Sequence, residues 1–172
     1  VADGADGLST TCGFLSLFQE ELTRAVNVPV ASSSLMQVSF VQKLLPPGQQ
    51  VGVITISRES LTAEHLLAAG APEDTPVVGT ENGTEFTRVI LEDEEEMDVD
   101  ACRQDLLDAG AQLVREHPQV GAIVLECTNM GPHAADLRQL LGLPVFSIIT
   151  FVSWFQSGLL PRRFSGITDD PR

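Results

Sequence analysis

The sequence of 172 residues contains one lysine and three cysteines, and each shortage argues against a class of protein. Lys43 precedes the segment LLPPG, where a helix is expected to end. A lysine that forms a Schiff base is expected in a pocket at a strand end, so the sequence predicts no pyridoxal phosphate and no other cofactor. Cys12, Cys102 and Cys127 are too few for a disulfide framework, which favours a reducing, cytoplasmic compartment.

Positive charge is scarce as well. The 10 Lys and Arg residues stand against 24 Asp and Glu residues, which gives a formal net charge of −14. Nucleic-acid phosphates require a basic surface, so we exclude nucleic acid as a partner. A small anionic ligand remains compatible, because helix N-terminal amides bind anions in acidic proteins too. In the acidic run at residues 92–100 we expect a solvated loop and a helix start, and no metal site.

Long hydrophobic runs are also missing. The longest apolar stretch, residues 145–155, is too short and too rich in hydroxyl groups to span a bilayer, so we expect no membrane partner. The composition, 43% hydrophobic and 20% charged, is that of a globular chain able to bury a core. The sequence leaves the oligomeric state open, a homo-oligomer included.

Apolar, strand-like segments alternate with helix-like segments along the chain. Strands are predicted at residues 7–12, 28–34, 50–57, 76–80, 120–126 and 143–149. Helices are predicted at residues 13–26, 35–45, 59–70, 99–117, 132–141 and 150–159. This alternation predicts an α/β fold with parallel sheets.

The chain also contains an internal repeat. The segments around Cys12 and Cys127 align without a gap, and each reads as strand, cysteine, helix, x-Pro-Val, strand. The matched pairs are Cys12 with Cys127, Leu22 with Leu137, Pro29 with Pro144, Val30 with Val145, and Ser32 with Ser147. We expect two pseudo-symmetric parallel-sheet α/β halves with the functional site at their interface.

The repeat also predicts how the halves are divided. The first half takes residues 1–47 and 150–172, the second residues 48–149. A copy of strand 50–57 would precede Val1, so we expect a missing first strand region of roughly 60 residues. Without it, one sheet edge should be unpaired.

Each of the two repeated cysteines ends a strand and precedes a helix. The carboxyl ends of parallel strands face the functional crevice, and helix N-terminal amides favour the thiolate. Two such thiols across a cleft can remove a proton from one face of a carbon and return it on the other, which inverts a stereocentre. Backbone amides at Gly13 and at Thr128 and Asn129 are placed to bind the carboxylate where charge develops.

The motifs STTCGF at 9–14 and LECTNM at 125–130, together with the repeat, resemble the cofactor-independent aspartate/glutamate/hydantoin racemase superfamily. The resemblance implies two similar α/β domains, each with one catalytic cysteine, here Cys12 and Cys127. It implies that the substrate carboxylate is held by the residues after each cysteine, and that a hydroxyl ends the strand opening the second domain. These substrate-binding positions are Gly13, Ser57, Thr128 and Asn129, with Arg58 as a weaker candidate.

Both cysteine motifs depart from the family pattern. Aspartate and glutamate racemases usually carry Cys-Asn-Thr at the first motif, where this chain has Cys12-Gly13-Phe14, and often Glu or His where it has Asn129. We predict an isomerase, an amino-acid racemase of the aspartate/glutamate type, acting on a small carboxylate. The alternatives are a hydantoin racemase, a maleate-type isomerase and a non-catalytic binding domain. Two retained cysteines argue against a decarboxylase, which keeps one.

Three further residues have simpler interpretations. Cys102 lies in a predicted helix without a partner motif, and we expect it to be structural. Strand alternation points Glu126 away from the face of Cys127, which favours a structural role. His133 is expected at the surface.

Overall fold

A computed structural model describes residues 1–162 of the chain. Residues 163–172, the end of the predicted first half, lie outside the described residues. Within residues 1–162 the strands are β1 (Leu8–Ser9), β2 (Val30–Ala31), β3 (Gln50–Thr55), β4 (Val77–Gly79), β5 (Val120–Leu125) and β6 (Val145–Phe146). The α-helices there are α1 (Gln19–Ala25), α2 (Val38–Gln42), α3 (Ala63–Ala68), α4 (Phe86–Glu92), α5 (Val99–Glu116), α6 (Ala134–Leu141) and α7 (Ile148–Leu159). Segments of 3-10 helix occupy Gly13–Phe18, Ser34–Gln37 and Thr128–His133.

The strands form two parallel sheets, which confirms the predicted α/β class. One sheet pairs β1 with β2, and the other has the order β4-β3-β5-β6. Strands β3 and β5 are central and covered on both faces, which is why they read as nearly continuous apolar runs. Within the part of the chain described, no helix is both long enough and apolar enough to cross a membrane.

Two apolar clusters cover the two faces of the four-stranded sheet. Alternate side chains of β5 point to opposite faces, so Ile123 and Leu125 join one cluster while Ala122 and Val124 join the other. Helices α5 and α6 supply the first cluster with Leu106, Leu113 and Leu137. The second cluster receives Leu35, Val38 and Val41 from the segment that ends in α2, and Leu66 and Ala69 from α3 and its C-cap.

The predicted repeat is present in the folded chain. The register pairs Leu8 with Val30 in the first sheet and Ile123 with Val145 in the second. The offset between these pairs is the 115 residues that separate Cys12 from Cys127. The 3-10 segments Gly13–Phe18 and Thr128–His133 follow the two cysteines at the same offset. We define residues 8–31 as the first copy of the repeat and residues 123–146 as the second.

Helix α4 was not predicted from the sequence, and a distant contact explains its position. The Asp105 carboxylate in α5 accepts hydrogen bonds from the backbone N–H groups of Thr84, Glu85 and Phe86, at 2.9, 2.7 and 2.8 Å. These N–H groups belong to the start of α4, where helical amides lack partners within the helix. Because Asp105 is about 20 positions away, the local sequence does not contain this signal.

Candidate active site

The two repeated cysteines lie on loops that touch each other. We define the Cys12 loop as residues 10–13 and the Cys127 loop as residues 126–129. Each cysteine is the N-cap of a 3-10 segment at the end of a parallel strand. Thr128 Oγ1 donates a hydrogen bond of 2.8 Å to the carbonyl oxygen of Thr11. The two thiols are also close enough that the charge of Cys12 contributes to raising the pKa of Cys127.

Cys127 is the buried member of the pair, with 8% of its surface exposed. Burial raises the pKa of its thiol to about 12, against hydrogen bonds from the backbone N–H groups of Asn129 and Met130 that lower it. The charges of Glu126 and Cys12 raise the pKa further. The amides expected from the sequence therefore reach the sulfur, but burial outweighs them, and at neutral pH the Cys127 thiol is protonated.

Cys12 is the exposed member of the pair. Its loop is attached to the end of β2 by the hydroxyl of Thr10, which hydrogen-bonds to the carbonyl oxygen of Ser32. The backbone N–H of Cys12 donates to Thr10 Oγ1 at 3.4 Å. The sulfur therefore faces solvent from a loop whose backbone is held in place.

The four predicted substrate-binding positions have different surroundings. Thr128 and Asn129 lie in the Cys127 loop, and the Asn129 side chain is exposed. Gly13 is buried, and its N–H donates to the Glu126 carboxylate, so this amide already has a partner. Ser57 lies just beyond β3, and its hydroxyl pairs with that of Ser60 at 2.9 Å. Arg58 is exposed, and its N–H donates to Glu81 Oε1 at 3.2 Å.

The sequence interpretation missed Thr55 and the contact that Glu126 makes with the Cys12 loop. Thr55 Oγ1 donates to Glu126 Oε2 at 2.9 Å, and both side chains are almost fully buried. Strand alternation places Glu126 on the face away from Cys127, yet its carboxylate meets the Cys12 loop through Gly13. The available signal was a charged residue inside the apolar run that ends at Cys127.

Two other expectations have clear outcomes. The expectation that His133 lies at the surface is wrong, because the residue is 6% exposed. The centroid of its ring lies 6.5 Å from that of Phe86, and the two rings are nearly perpendicular. Burial, followed by the charge of Arg103, lowers the pKa of His133. Cys102 is fully buried in the core beside α5 residues, in agreement with a structural role. Among residues 1–162, no group of three His, Cys, Asp or Glu side chains is arranged to hold a metal ion.

Curated relatives in sequence are lyases. The chain is 26% identical over 172 residues to a dimethylsulfoniopropionate lyase of Durusdinium sp. clade D, covering 96% of this chain and 56% of that protein. It is 28% identical over 164 residues to dimethylsulfoniopropionate lyase 5 of Emiliania huxleyi (strain CCMP1516), covering 91% of this chain and 32% of that protein. The chain thus spans about half or less of the length of these relatives.

Solved structures with the same fold include racemases and a decarboxylase. Allantoin racemase from Pseudomonas fluorescens matches with a TM-score of 0.64 at 16% identity, over 96% of this chain and 72% of that one. Unliganded arylmalonate decarboxylase matches with a TM-score of 0.59 at 16% identity, over 99% and 74%. At this identity the likeness concerns the fold. The family model described as Asp/Glu/Hydantoin racemase matches residues 1–153, and the chain belongs to this family.

Proposed function

We propose that this chain removes a proton from the carbon next to a carboxylate, using Cys12 and Cys127, and that the reaction is elimination from a sulfonio carboxylate such as dimethylsulfoniopropionate. The observation that carries the proposal is the contact between the two cysteine loops, the 2.8 Å hydrogen bond from Thr128 to Thr11. The choice of elimination over racemisation is supported by the lyase relatives, which match 91% and 96% of the chain.

The elimination step needs one base and a place for negative charge. In the proposed step the Cys12 thiolate takes the proton from the α-carbon. The electron pair of that C–H bond forms the Cα–Cβ double bond, and the Cβ–S bond breaks with its electrons going to sulfur. Neutral dimethyl sulfide leaves, acrylate remains, and the Cys12 thiol returns its proton to water. No oxidant or cofactor is required for this balance.

The different exposure of the two thiols supports different roles. Cys12 faces solvent and can meet the substrate proton. Cys127 is protonated at neutral pH because burial raises its pKa to about 12, so it serves as a hydrogen-bond donor or an acid. Its thiol and the exposed Asn129 side chain can both donate to the substrate carboxylate, where charge develops as the proton leaves.

The second candidate is the amino-acid racemase predicted from the sequence. The presence of one thiol in each copy of the repeat favours it, because racemisation needs an acid and a base on opposite faces of the carbon. In that reaction Cys12 takes the proton from one face of Cα and Cys127 returns one to the other face. The carboxylate-binding groups are the same in both reactions, so the fate of the carbanion distinguishes them.

One experiment separates the two reactions. The chain is incubated in heavy water with dimethylsulfoniopropionate, and in parallel with single enantiomers of aspartate and glutamate, 5-substituted hydantoins and maleate. Dimethyl sulfide is followed by gas chromatography, and acrylate, fumarate and Cα deuteration by NMR. We expect dimethyl sulfide and acrylate in equal amounts.

The cysteine variants test the roles of the thiols. Cys12→Ala should lower the rate by about 10²–10⁴-fold, the usual contribution of a general base. Cys127→Ala should also lower it, whereas Cys102→Ala, in helix α5, should retain it. Deuteration with inversion and no dimethyl sulfide would establish the racemase instead. A chain folded by circular dichroism that converts none of these compounds would contradict both candidates and favour a binding domain.

A further inference from the structure

A buried carboxylate of the Cys127 loop contacts the Cys12 loop, and neither proposed reaction uses it. Glu126 is 1% exposed. Its Oε2 accepts a hydrogen bond of 2.9 Å from Thr55 Oγ1. The backbone N–H groups of Ile56 and Gly13 donate to the same carboxylate. These three donors are uncharged, so the negative charge of the Glu126 carboxylate is stabilised by neutral hydrogen-bond donors.

Keeping a carboxylate in this position costs free energy. Burial raises the pKa of Glu126 from 4.5 to about 7, although the three hydrogen bonds lower it. A neutral group of the same shape in this place avoids the cost of burying a charge. A glutamine would therefore fill the same space for structural purposes, and the position next to Cys127 suggests that the carboxylate has a role connected with the thiols.

Glu126 connects three segments of the active site. It adjoins Cys127 in the chain, its hydroxyl donor Thr55 and one amide donor come from the end of β3, and the other amide donor belongs to the Cys12 loop. A Cβ at residue 13 would lie 2.2 Å from Glu126 Oε1, so only glycine leaves room for the carboxylate. This contact explains why glycine follows Cys12, where the family pattern has asparagine.

The contact between Gly13 and Glu126 has a counterpart across the repeat. The offset of 115 residues relates Gly13 to Thr128 and Thr11 to Glu126. In one direction Gly13 donates its N–H to the Glu126 side chain. In the other direction Thr128 donates its hydroxyl to the Thr11 carbonyl. Each loop therefore binds the other through the residue after its cysteine, and the bond made by Glu126 is the one with a charged acceptor.

We propose that Glu126 is a positioning residue that binds the Cys12 loop to the end of β3 beside Cys127 and thereby sets the separation of the two thiols. The proposal rests on the acid–base function proposed above for these thiols. The carboxylate accepts from three donors at once, which orients the loop more strictly than a single neutral contact. Such a residue does not touch the substrate; it acts through the placement of Cys12.

The role also implies a dependence on pH. The groups that face the Glu126 carboxylate are the Thr55 hydroxyl and the amides of Ile56 and Gly13, which do not titrate in this range. The titratable thiol coupled to it is Cys127, whose pKa the Glu126 charge raises. Ionisation of Glu126 near pH 7 should therefore tighten the Cys12 loop and at the same time keep Cys127 protonated.

Glu126→Gln tests the proposal, and Asp105→Asn is the matched control. Asp105 is also a buried carboxylate that accepts from three backbone amides, but it lies at the start of α4. Both variants are made in a Cys102→Ala background, which leaves Cys12 and Cys127 as the thiols of the chain. The readout independent of turnover is capture by dibromobimane, which alkylates two neighbouring thiols and becomes fluorescent when both sulfurs have reacted, followed by mass spectrometry. The second readout is kcat and KM between about pH 5 and pH 9.

We expect capture of both thiols in the background protein and in Asp105→Asn, and a large loss of capture in Glu126→Gln. A displacement of about 1 Å costs on the order of 10²-fold in rate, so we expect kcat to fall by about that factor in Glu126→Gln. The inflection near pH 7 should disappear from its pH–rate profile, a change that a structural role alone would not produce. Thr55→Val, which removes one donor and keeps the shape, should change both readouts in the same direction by less.

Equal capture and an unchanged pH profile in a folded Glu126→Gln protein would overturn the proposal. So would the absence of capture in the background protein, because the thiols would then be too far apart. If Glu126→Gln does not fold, Thr55→Val takes its place. Unchanged capture and an unchanged pH profile in Thr55→Val would then overturn the proposal. Should no protein turn over any substrate, the proposed function fails, while dibromobimane capture still decides whether Glu126 sets the thiol spacing.

Discussion

The two copies of the repeat share their local structure and differ in their burial. Both have a parallel strand pair in the same register and a 3-10 segment after the cysteine. Cys127 is 8% exposed, whereas Cys12 is exposed. Leu137 is fully buried, whereas Leu22, its counterpart, is half-buried. Similar sequence therefore produces similar backbone, while the surrounding sheet determines what each cysteine can do.

The difference in burial follows from the sheets. The second copy contributes β5 and β6 to a four-stranded sheet that helices cover on both faces. The first copy contributes β1 and β2 to a two-stranded sheet. A thiol at the end of the covered sheet loses its hydration, which disfavours its charged form. The two copies of the repeat thus leave the Cys12 thiol exposed and bury the Cys127 thiol, which is protonated at neutral pH. An acid–base pair requires such an asymmetry.

Alkylation of the native protein gives the largest contrast between the copies. Iodoacetamide reacts with thiolates, and a pKa of about 12 leaves only about 10⁻⁴ of Cys127 as thiolate at pH 8. We expect Cys127 to react on the order of 10³-fold more slowly in the native chain than in urea, with Cys12 modified first. Peptide mapping by mass spectrometry measures both rates. Cys102, buried in the core, serves as the protected reference. If Cys127 of the native protein were alkylated as fast as Cys12, Cys127 would not be the buried, protonated thiol of the pair.

Truncation of the paired leucines should show the same contrast in stability. Leu137→Ala removes a fully buried side chain from the cluster beside α5 and should lower the free energy of unfolding by about 2–5 kcal/mol. Leu22→Ala, at the related position in the first copy, should cost well under half of that, because the side chain is half-buried. Urea unfolding followed by circular dichroism measures both. Equal losses would mean that the first copy is packed as tightly as the second.

The fold could be predicted from the sequence to a greater extent than the site could. Apolar alternation indicated the parallel α/β class, and the matched cysteines indicated a repeat that the strand registers reproduce. These features depend on local patterns, which a single sequence contains. The start of α4 was missed because it depends on Asp105 in another helix.

The chemistry of the site depends on distances that the sequence does not contain. Helix N-terminal amides at Cys127 were expected, but their effect on its pKa is outweighed by burial, a property of the whole fold. Glu126 was expected to lie away from the cysteines, because alternation describes a strand and Glu126 follows the last residue of β5. Its contact with Gly13 joins positions 113 residues apart, and only the folded chain brings them together.

The smallest expected effect concerns the charge that the second copy has and the first lacks. Glu126 corresponds to Thr11, so one copy has a titrating side chain before its cysteine and the other has none. The pKa of Glu126 rises from 4.5 to about 7 on folding, so the folded protein retains a proton that the unfolded chain releases in this window. Stability is therefore lost as the pH rises from about 4.5 to 7, by up to about 3 kcal/mol.

Glu126→Gln removes this loss. We expect the free energy of unfolding of the variant, relative to wild type, to increase by about 3 kcal/mol between pH 4 and pH 8 in urea titrations. Asp105→Asn should differ from wild type by an amount that does not change over this range. Burial raises the pKa of Asp105, but hydrogen bonds from Phe86, Thr84 and Glu85 outweigh it and hold the pKa below 3.8. Its contribution is therefore present above that pH and lost only in more acidic solution. A Glu126→Gln difference that is flat from pH 4 to pH 8 would mean that Glu126 is already ionised at low pH, and that the two copies differ in shape but not in charge.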